Sequence, residues 1–377
     1  MHRSLPTSFM IIASVLLGSI LAPSGTAQSR GTSPSEAMAI NERGQVVGFR
    51  TVADERQAVI WERGTVRALG TLPGGAQSMA TDINDAGSVV GWSGTANGGS
   101  HAVLWADGDI HDLGVLPGGG WSTAEGIDEQ GHVIGWSANE SGDNQAVMWA
   151  NGMLIPLATP PGHPATMAWD LNEAGDIAGL TLSADGQFRA VLWRDGEIVD
   201  LGALPDDAAS WTRSVNDAGL VVGWSEGDGG ARAVQWRDGE IAPLGALPGD
   251  AMSAASGQNN RGQAVGWSGA TSATPRAVIW DNGEIRPLAP LPGDTTSAAS
   301  DTNDASVVTG WSGDGEGHVR PVVWAGDRVI DLEAYPAAGL GIRHPHALIP
   351  LPGRHMTNRV LGRVQQESFL LPMRHDP

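Results

Sequence analysis

The sequence predicts an all-β protein, a β-propeller of four-stranded blades about 44 residues long. Three observations predict it. An Ala-Val-x-Trp unit ends at Trp61, Trp105, Trp149, Trp193, Trp236 and Trp280, and a Pro-Val-Val-Trp version at Trp324, with spacings of 44, 44, 44, 43, 44 and 44. A second unit, Asn-x-x-Gly-x-Val-Val-Gly-Trp in its fullest form, places its last Gly at 48, 91, 135, 179, 223, 266 and 310. Hairpin dipeptides recur in the same phase, as Asp107-Gly108, Asn151-Gly152, Asp195-Gly196, Asp238-Gly239 and Asn282-Gly283.

Each period reads as four strands in order. Strand one runs through Ser78 to Asn84, and Asn84-Asp85-Ala86-Gly87 turns the chain, with Gly free to take a positive φ. Strand two is Val89 to Trp92, and a variable loop of Ser, Gly, Asp and Asn follows it. Strand three is Ala102 to Trp105, the Asp107-Gly108 turn matches a two-residue hairpin, and strand four is Ile110 to Leu113. No segment beyond the N-terminus carries a helical period.

Seven periods are clear, from about Ser35 to Leu332. A degraded eighth follows, with Asn358 at the turn Gly position, Val360-Leu361-Gly362 as strand two and Ser368 to Leu371 as strand three. An eight-bladed ring closed by this imperfect copy is the first expectation. Seven blades plus a C-terminal cap, and a β-solenoid, stand as alternatives.

The N-terminus reads as a secretory signal over residues 1–27. His2 and Arg3 precede the apolar run Phe9 to Leu21, and Gly25-Thr26-Ala27 supplies small residues for cleavage after Ala27. Residues 28–34 form a short leader, and 35–377 a single repeat domain. The apolar run is too short for a permanent span, although a retained N-terminal anchor is the alternative. The expected location is secreted or extracellular, with the periplasm also open.

The chain has no Cys and no Lys, so its 22 basic residues are all Arg against 42 acids. Removing the signal removes Arg3 and no acid, giving 21 − 42 = −21. Such a field disfavours nucleic acid and anionic lipid, and the absence of Cys rules out a disulfide framework.

The repeat resembles that of the HAF-repeat extracellular proteins. His101-Ala102-Val103-Leu104-Trp105, then Asp112-Leu113-Gly114-Val115-Leu116, Ser122, Ile127-Asp128 and Gly131 to Trp136 follow that family's pattern. Val stands for its Phe in all seven units, and its His survives only at 101. The resemblance implies export and an all-β repeat fold, and carries over no catalytic residue.

The in-phase Trp and the turn Asn residues are read as structural. Function is expected where the repeat is broken. Twelve of 15 Trp keep the register, and Trp121, Trp169 and Trp211 do not. All three are expected at the start of strand one, beside Ser122, Thr166 and Ser210 in consecutive units, with the unit-specific Glu125, Asp170 and Arg213 nearby. The expectation is an exposed stacking platform near the central opening on the loop-rich face, taking a glycan or protein ligand. Glu140, Asp143, Asp185, Glu226, Asp228, Asp314 and Glu316 populate the loops of that face, with Asp206, Asp207, Asp250 and Asp294 near strand one. No cofactor is expected. Calcium would suit these oxygen ligands, but no loop carries a full calcium motif. His344, His346 and His355 make a poor zinc set. An exported binding or scaffold module is the leading function, and a propeller hydrolase or lyase acting on polysaccharide through paired carboxylates is the alternative.

Overall fold

The computed structural model describes residues 35–334 apart from Asp185. It is all-β, with seven four-stranded antiparallel sheets, each built from consecutive strands. The blades span Glu36–Ala68, Ser78–Gly114, Ser122–Pro156, Ala165–Asp200, Ala209–Pro243, Met252–Pro287 and Thr296–Asp331. The Asx-Gly hairpins adopt the two positive φ angles that their sequence demands, 55° at Asp107 and 90° at Gly108.

The in-phase Trp residues pack blade on blade. Trp105 lies in one buried cluster with Val47, Ala58 and Ile60 of the preceding blade. Trp193, Trp236, Trp280 and Trp324 repeat the arrangement at later seams. Trp61 of blade 1 closes the set, buried with Val307, Val323 and Leu332 of blade 7. The eight-bladed expectation is therefore corrected. Blade 7 packs directly on blade 1, which is possible because seven wedges already complete the circle. The expected eighth copy, like the signal and leader, lies outside the described residues.

Polar groups of the repeat tie the same seams. The amide of Ala102 donates to Ser122 Oγ of the next blade at 2.9 Å, and Ala58, Ala190, Ala233 and Ala277 make the equivalent bond. On the tight-turn face the Asn side chains form a ladder. Asn41 Nδ2 donates to the Asn84 carbonyl, Asn84 to Asp128, Asn172 to Asn216, Asn216 to Asn259, Asn259 to Asn303, and Asn303 back to Asn41. One residue further on, a second ring runs through all seven blades. The Glu42 amide donates to Asp85, Asp85 to Glu129, Glu129 to Glu173, Glu173 to Asp217, Asp217 to Asn260, Asn260 to Asp304, and Asp304 to Glu42. The structural reading of the turn Asn thus holds, though each caps its own turn and also grips its neighbour.

Candidate functional site

The recurrent Gly of strand two determines what faces the axis. A Cβ at Gly48, Gly91, Gly135, Gly179, Gly223, Gly266 or Gly310 would collide with a carbonyl oxygen of strand one in the same blade, so only Gly admits this approach. At that point strand one slips by one residue in every blade. Such bulges re-aim side chains. The residues skipped by the register are Met38, Thr81, Glu125, Trp169, Arg213, Ser256 and Ser300, and all seven line one central cavity of about 580 Å³.

Three of the expected site residues, Glu125, Trp169 and Arg213, are therefore equivalent bulge residues of blades 3, 4 and 5. The guanidinium carbon of Arg213 sits 4.7 Å from the Trp169 ring centre, a cation–π contact. Asp170 lines the same cavity and accepts the amides of Leu171 and, across the seam, Val215. Asp82 and Asp301 occupy the same place in blades 2 and 7. They accept the amides of Ile127 and Ile40 of the following blades at 2.9 and 3.1 Å. Glu36 of blade 1 also lines the cavity. Sequence reading missed these three because it looked only beside an out-of-phase Trp. Counting back from the turn Asn would have found two of them, since Asp82, Asp170 and Asp301 each lie two residues before it.

Burial governs the protonation of these groups. It pushes the Glu36 carboxyl up to about 7, against the pull of Arg56. Asp82 is raised to about 6 by burial, which outweighs its amide donors. Burial raises Glu125 to about 7 while Arg213 and the Thr123 hydroxyl draw it back. Asp170, at about 7, and Asp301, at about 8, are raised first by burial and then by the charge of Asp82. The Arg213 guanidinium is lowered by burial and supported by Glu125 and Asp170.

The tryptophans lie differently from expectation. Trp169 and Trp211 are each only 8% exposed and belong to an axial cluster with Trp136, Trp224, Trp267 and Trp311. Trp211 stacks on Trp224 at 5.4 Å and 16°, and Trp169 meets Trp136 edge-on at 4.7 Å. The exposed platform is corrected to a buried aromatic floor, because strand one and strand two both turn these rings toward the axis. Trp169, Trp211, Trp224, Trp267 and Trp311 wall the cavity, whereas Trp121 is half-buried at the cluster's edge and does not line it. The mouth is framed by the Asn ladder and the acidic ring, so the cavity opens on the tight-turn face and not on the loop-rich face.

The loop-face carboxylates are partly committed elsewhere. Asp207 pairs with Arg232 at 2.6 Å, Asp250 with Arg276 at 2.7 Å and Asp294 with Arg320 at 2.9 Å. Asp314 holds His318. Among the described residues no three His, Cys, Asp or Glu side chains gather at metal-binding distance. Asp185, His344, His346 and His355 lie outside those residues. No helix of the described residues is long and apolar enough to cross a membrane.

Comparison with known proteins supports the fold. No family model matches the chain, and no curated protein does. Among solved structures it is similar to a Mycobacterium tuberculosis puromycin-hydrolyzing peptidase, with a TM-score of 0.58 and 13% identity over 79% of this chain and 52% of that one. The chain thus spans about half the length of that peptidase. A structure of puromycin hydrolase gives a TM-score of 0.58 at 13% identity, covering 83% of this chain and 56% of the other. The β-propeller domain of the Trilobed protease from Pyrococcus furiosus gives 0.54 at 10% identity, over 81% and 97%. Identities this low speak for the shared propeller fold alone.

Proposed function

We propose that this protein is an exported ligand-binding propeller whose binding site is the central cavity, with a glycan or a protein segment as the ligand. The N-terminal signal pattern and the HAF-like repeat support export. One observation carries the binding reading. The positions at which the repeat abandons its consensus, Glu125, Trp169 and Arg213, converge on a single cavity that a purely structural propeller has no need to decorate. Its volume of about 580 Å³ falls in the range of roughly 300–1,000 Å³ typical of ligand pockets.

A hydrolase or lyase is the second reading. Its support is chemical: Glu125 and Asp170, raised to about 7, sit where a general acid or base is most effective at neutral pH. The binding reading is favoured because both Asp170 oxygens already accept backbone amides.

The test is a screen of soluble oligosaccharides and peptides by intrinsic Trp fluorescence, since five Trp wall the cavity, with product analysis in parallel. A binder is expected to shift the emission and to lose its effect in Ser300→Trp, which fills the cavity from blade 7. Binders indifferent to Ser300→Trp would place the site elsewhere.

A further inference from the structure

The seven seams of the ring are not equal. In six of them the amide of a strand-three Ala donates to a hydroxyl of the next blade. Ala58, Ala102, Ala190, Ala233 and Ala277 reach a Ser in this way, and Ala146 reaches Thr166 Oγ1 at 2.9 Å. Between blades 7 and 1 that Ala is replaced by Pro321, which pairs with Trp311 as Ala102 pairs with Trp92. Proline has no amide hydrogen to give. The receiving hydroxyl is nevertheless in place, since Ser35 of blade 1 stands where blades 2 and 3 have Ser78 and Ser122. The chain itself also crosses the other six seams, and in five of them it buries Leu72, Leu116, Leu204, Leu247 or Leu291 there. Among the described residues no connection crosses the seam between the last blade and the first.

Carboxyls gather on both sides of this weaker seam. Asp301 of blade 7 accepts the Ile40 amide of blade 1, and Glu42 of blade 1 accepts the Asp304 amide of blade 7. Glu36 lies buried on the innermost strand of blade 1, and Glu333 leans on the Ser35 hydroxyl. Burial is the first cause that raises all four, to about 8 for Asp301 and about 7 for Glu36. The charges of Asp82 and Asp170 further oppose ionisation of Asp301, and only Arg56 favours that of Glu36. Around Glu42, Asp304 and Asp85 oppose it and Arg261 favours it; around Glu333, Asp331 opposes it and Arg320 favours it. Parting the blades returns these carboxyls to water, where they ionise freely. Rising pH therefore favours the open seam and falling pH the closed one. Asp82 and Asp170 are buried at other seams, but those keep both the hydroxyl tie and the crossing chain.

We propose that the ring opens at the seam between blades 7 and 1, as a lateral entrance to the central cavity that acid shuts and alkali releases. Ile40, Asn41, Asp301 and Asn303 all line the cavity, so parting these two blades parts its wall. The opening stands whether or not the cavity takes a ligand.

The absence of Cys from the chain gives a clean test in the full-length protein. Val59 is buried in the cluster of the 7/1 seam, and Val147 holds the equivalent place at the seam of blades 2 and 3. Val59→Cys and Val147→Cys are labelled with an uncharged maleimide at pH 6 and pH 8.5, each rate being divided by that of a cysteine peptide at the same pH to remove the thiolate effect. Local opening at one seam is expected to label Val59→Cys about tenfold faster than Val147→Cys at pH 8.5, with the ratio shrinking at pH 6. Adding Asp301→Asn should remove most of that pH dependence. Adding Pro321→Ala, which restores an amide for Ser35, should slow the labelling of Val59→Cys at both pH values. Equal rates at the two seams overturn the proposal, because they mean that labelling follows global unfolding. A ratio that does not change between pH 6 and pH 8.5 overturns the pH control. Should Val59→Cys fail to fold, Val307→Cys reads the same seam from blade 7.

Discussion

Asp301 accepts the backbone amide of Ile40 at 3.1 Å, joining residues 261 positions apart, and this bond lies on the seam where the ring closes. The seam lacks one tie that other seams possess. Pro321 occupies the place of the Ala whose amide bonds the next blade's Ser, and proline has no amide hydrogen to donate. Closure therefore leans on Asp301, on the Asn303 side chain donating to the Asn41 carbonyl, and on Trp61 packed against Leu332.

Asp301 also links closure to pH. Its folded-state pKa of about 8 stands far above the ordinary 3.8, and Asp170 and Asp82 are raised with it. The folded protein therefore holds protons that the unfolded chain has released. This contribution to stability is complete below about pH 4 and fades as pH rises through 6 to 8, a tenfold difference in proton affinity between the two states being worth ~1.4 kcal/mol. The melting temperature is expected to be higher at pH 5 than at pH 8.5. Asp301→Asn keeps an acceptor for Ile40 without the charge, so it should flatten this slope and raise the melting temperature at pH 8.5. A slope of the opposite sign in the wild type would contradict the assignment.

The Asn ladder has one missing rung. Asp128 stands where six blades have Asn, so nothing equivalent reaches from it to the Asn172 carbonyl. Its carboxylate instead takes the His132 amide and ring nitrogen, both at 2.7 Å. Asp128→Asn should keep the amide bond, as Asn84 does with Ser88 at 2.9 Å, and add the rung. The expected gain is about 1 kcal/mol, the net worth of one buried hydrogen bond, read in denaturant melts. No gain would mean that the His132 contact matters as much as the rung.

How much of this was legible in the sequence depends on how local each feature is. The Asp107-Gly108 turn announces itself within two residues, and the 44-residue period follows from counting. Blade number does not, because whether Leu332 meets Trp61 or another blade depends on closure across the whole ring, which an in-register copy near Asn358 cannot report. The recurrent Gly223 was visible, but its cause was not: the Trp211 carbonyl approaches from the neighbouring strand. That approach creates the bulge that sends Arg213 inward. The out-of-phase Trp169 and Trp211 do line the central cavity, yet phase alone could tell neither an exposed ring from a buried one nor which face the cavity opens on.

The bulge yields a direct test. Gly223→Ala places a methyl against the Trp211 carbonyl in a close-packed sheet, where the backbone itself must shift. A loss of several kcal/mol is expected, in line with severe core overpacking. Gly239→Ala, at a turn with nothing near its Cβ but a φ of +82°, should cost about 1 kcal/mol. If Gly223→Ala melts like the wild type, the bulge does not depend on that glycine.

Trp211 separates packing from recognition. Its burial in the axial cluster, between Phe188 at 5.6 Å and Trp224 at 5.4 Å, means that Trp211→Ala should cost ~3–5 kcal/mol. Half-buried Trp121 should lose far less on the same change. Truncation therefore cannot report on binding, since any ligand effect would be confounded with a loosened floor. Trp211→Phe is the informative variant. It retains most of the ring stack and removes the unpaired indole N–H, whose burial costs about 1–3 kcal/mol, so the melt should change little. That N–H is shielded from the cavity, so a cavity ligand found in the screen should bind Trp211→Phe nearly as well as the wild type. A large loss of binding with an unchanged melt would show instead that a ligand reaches the N–H.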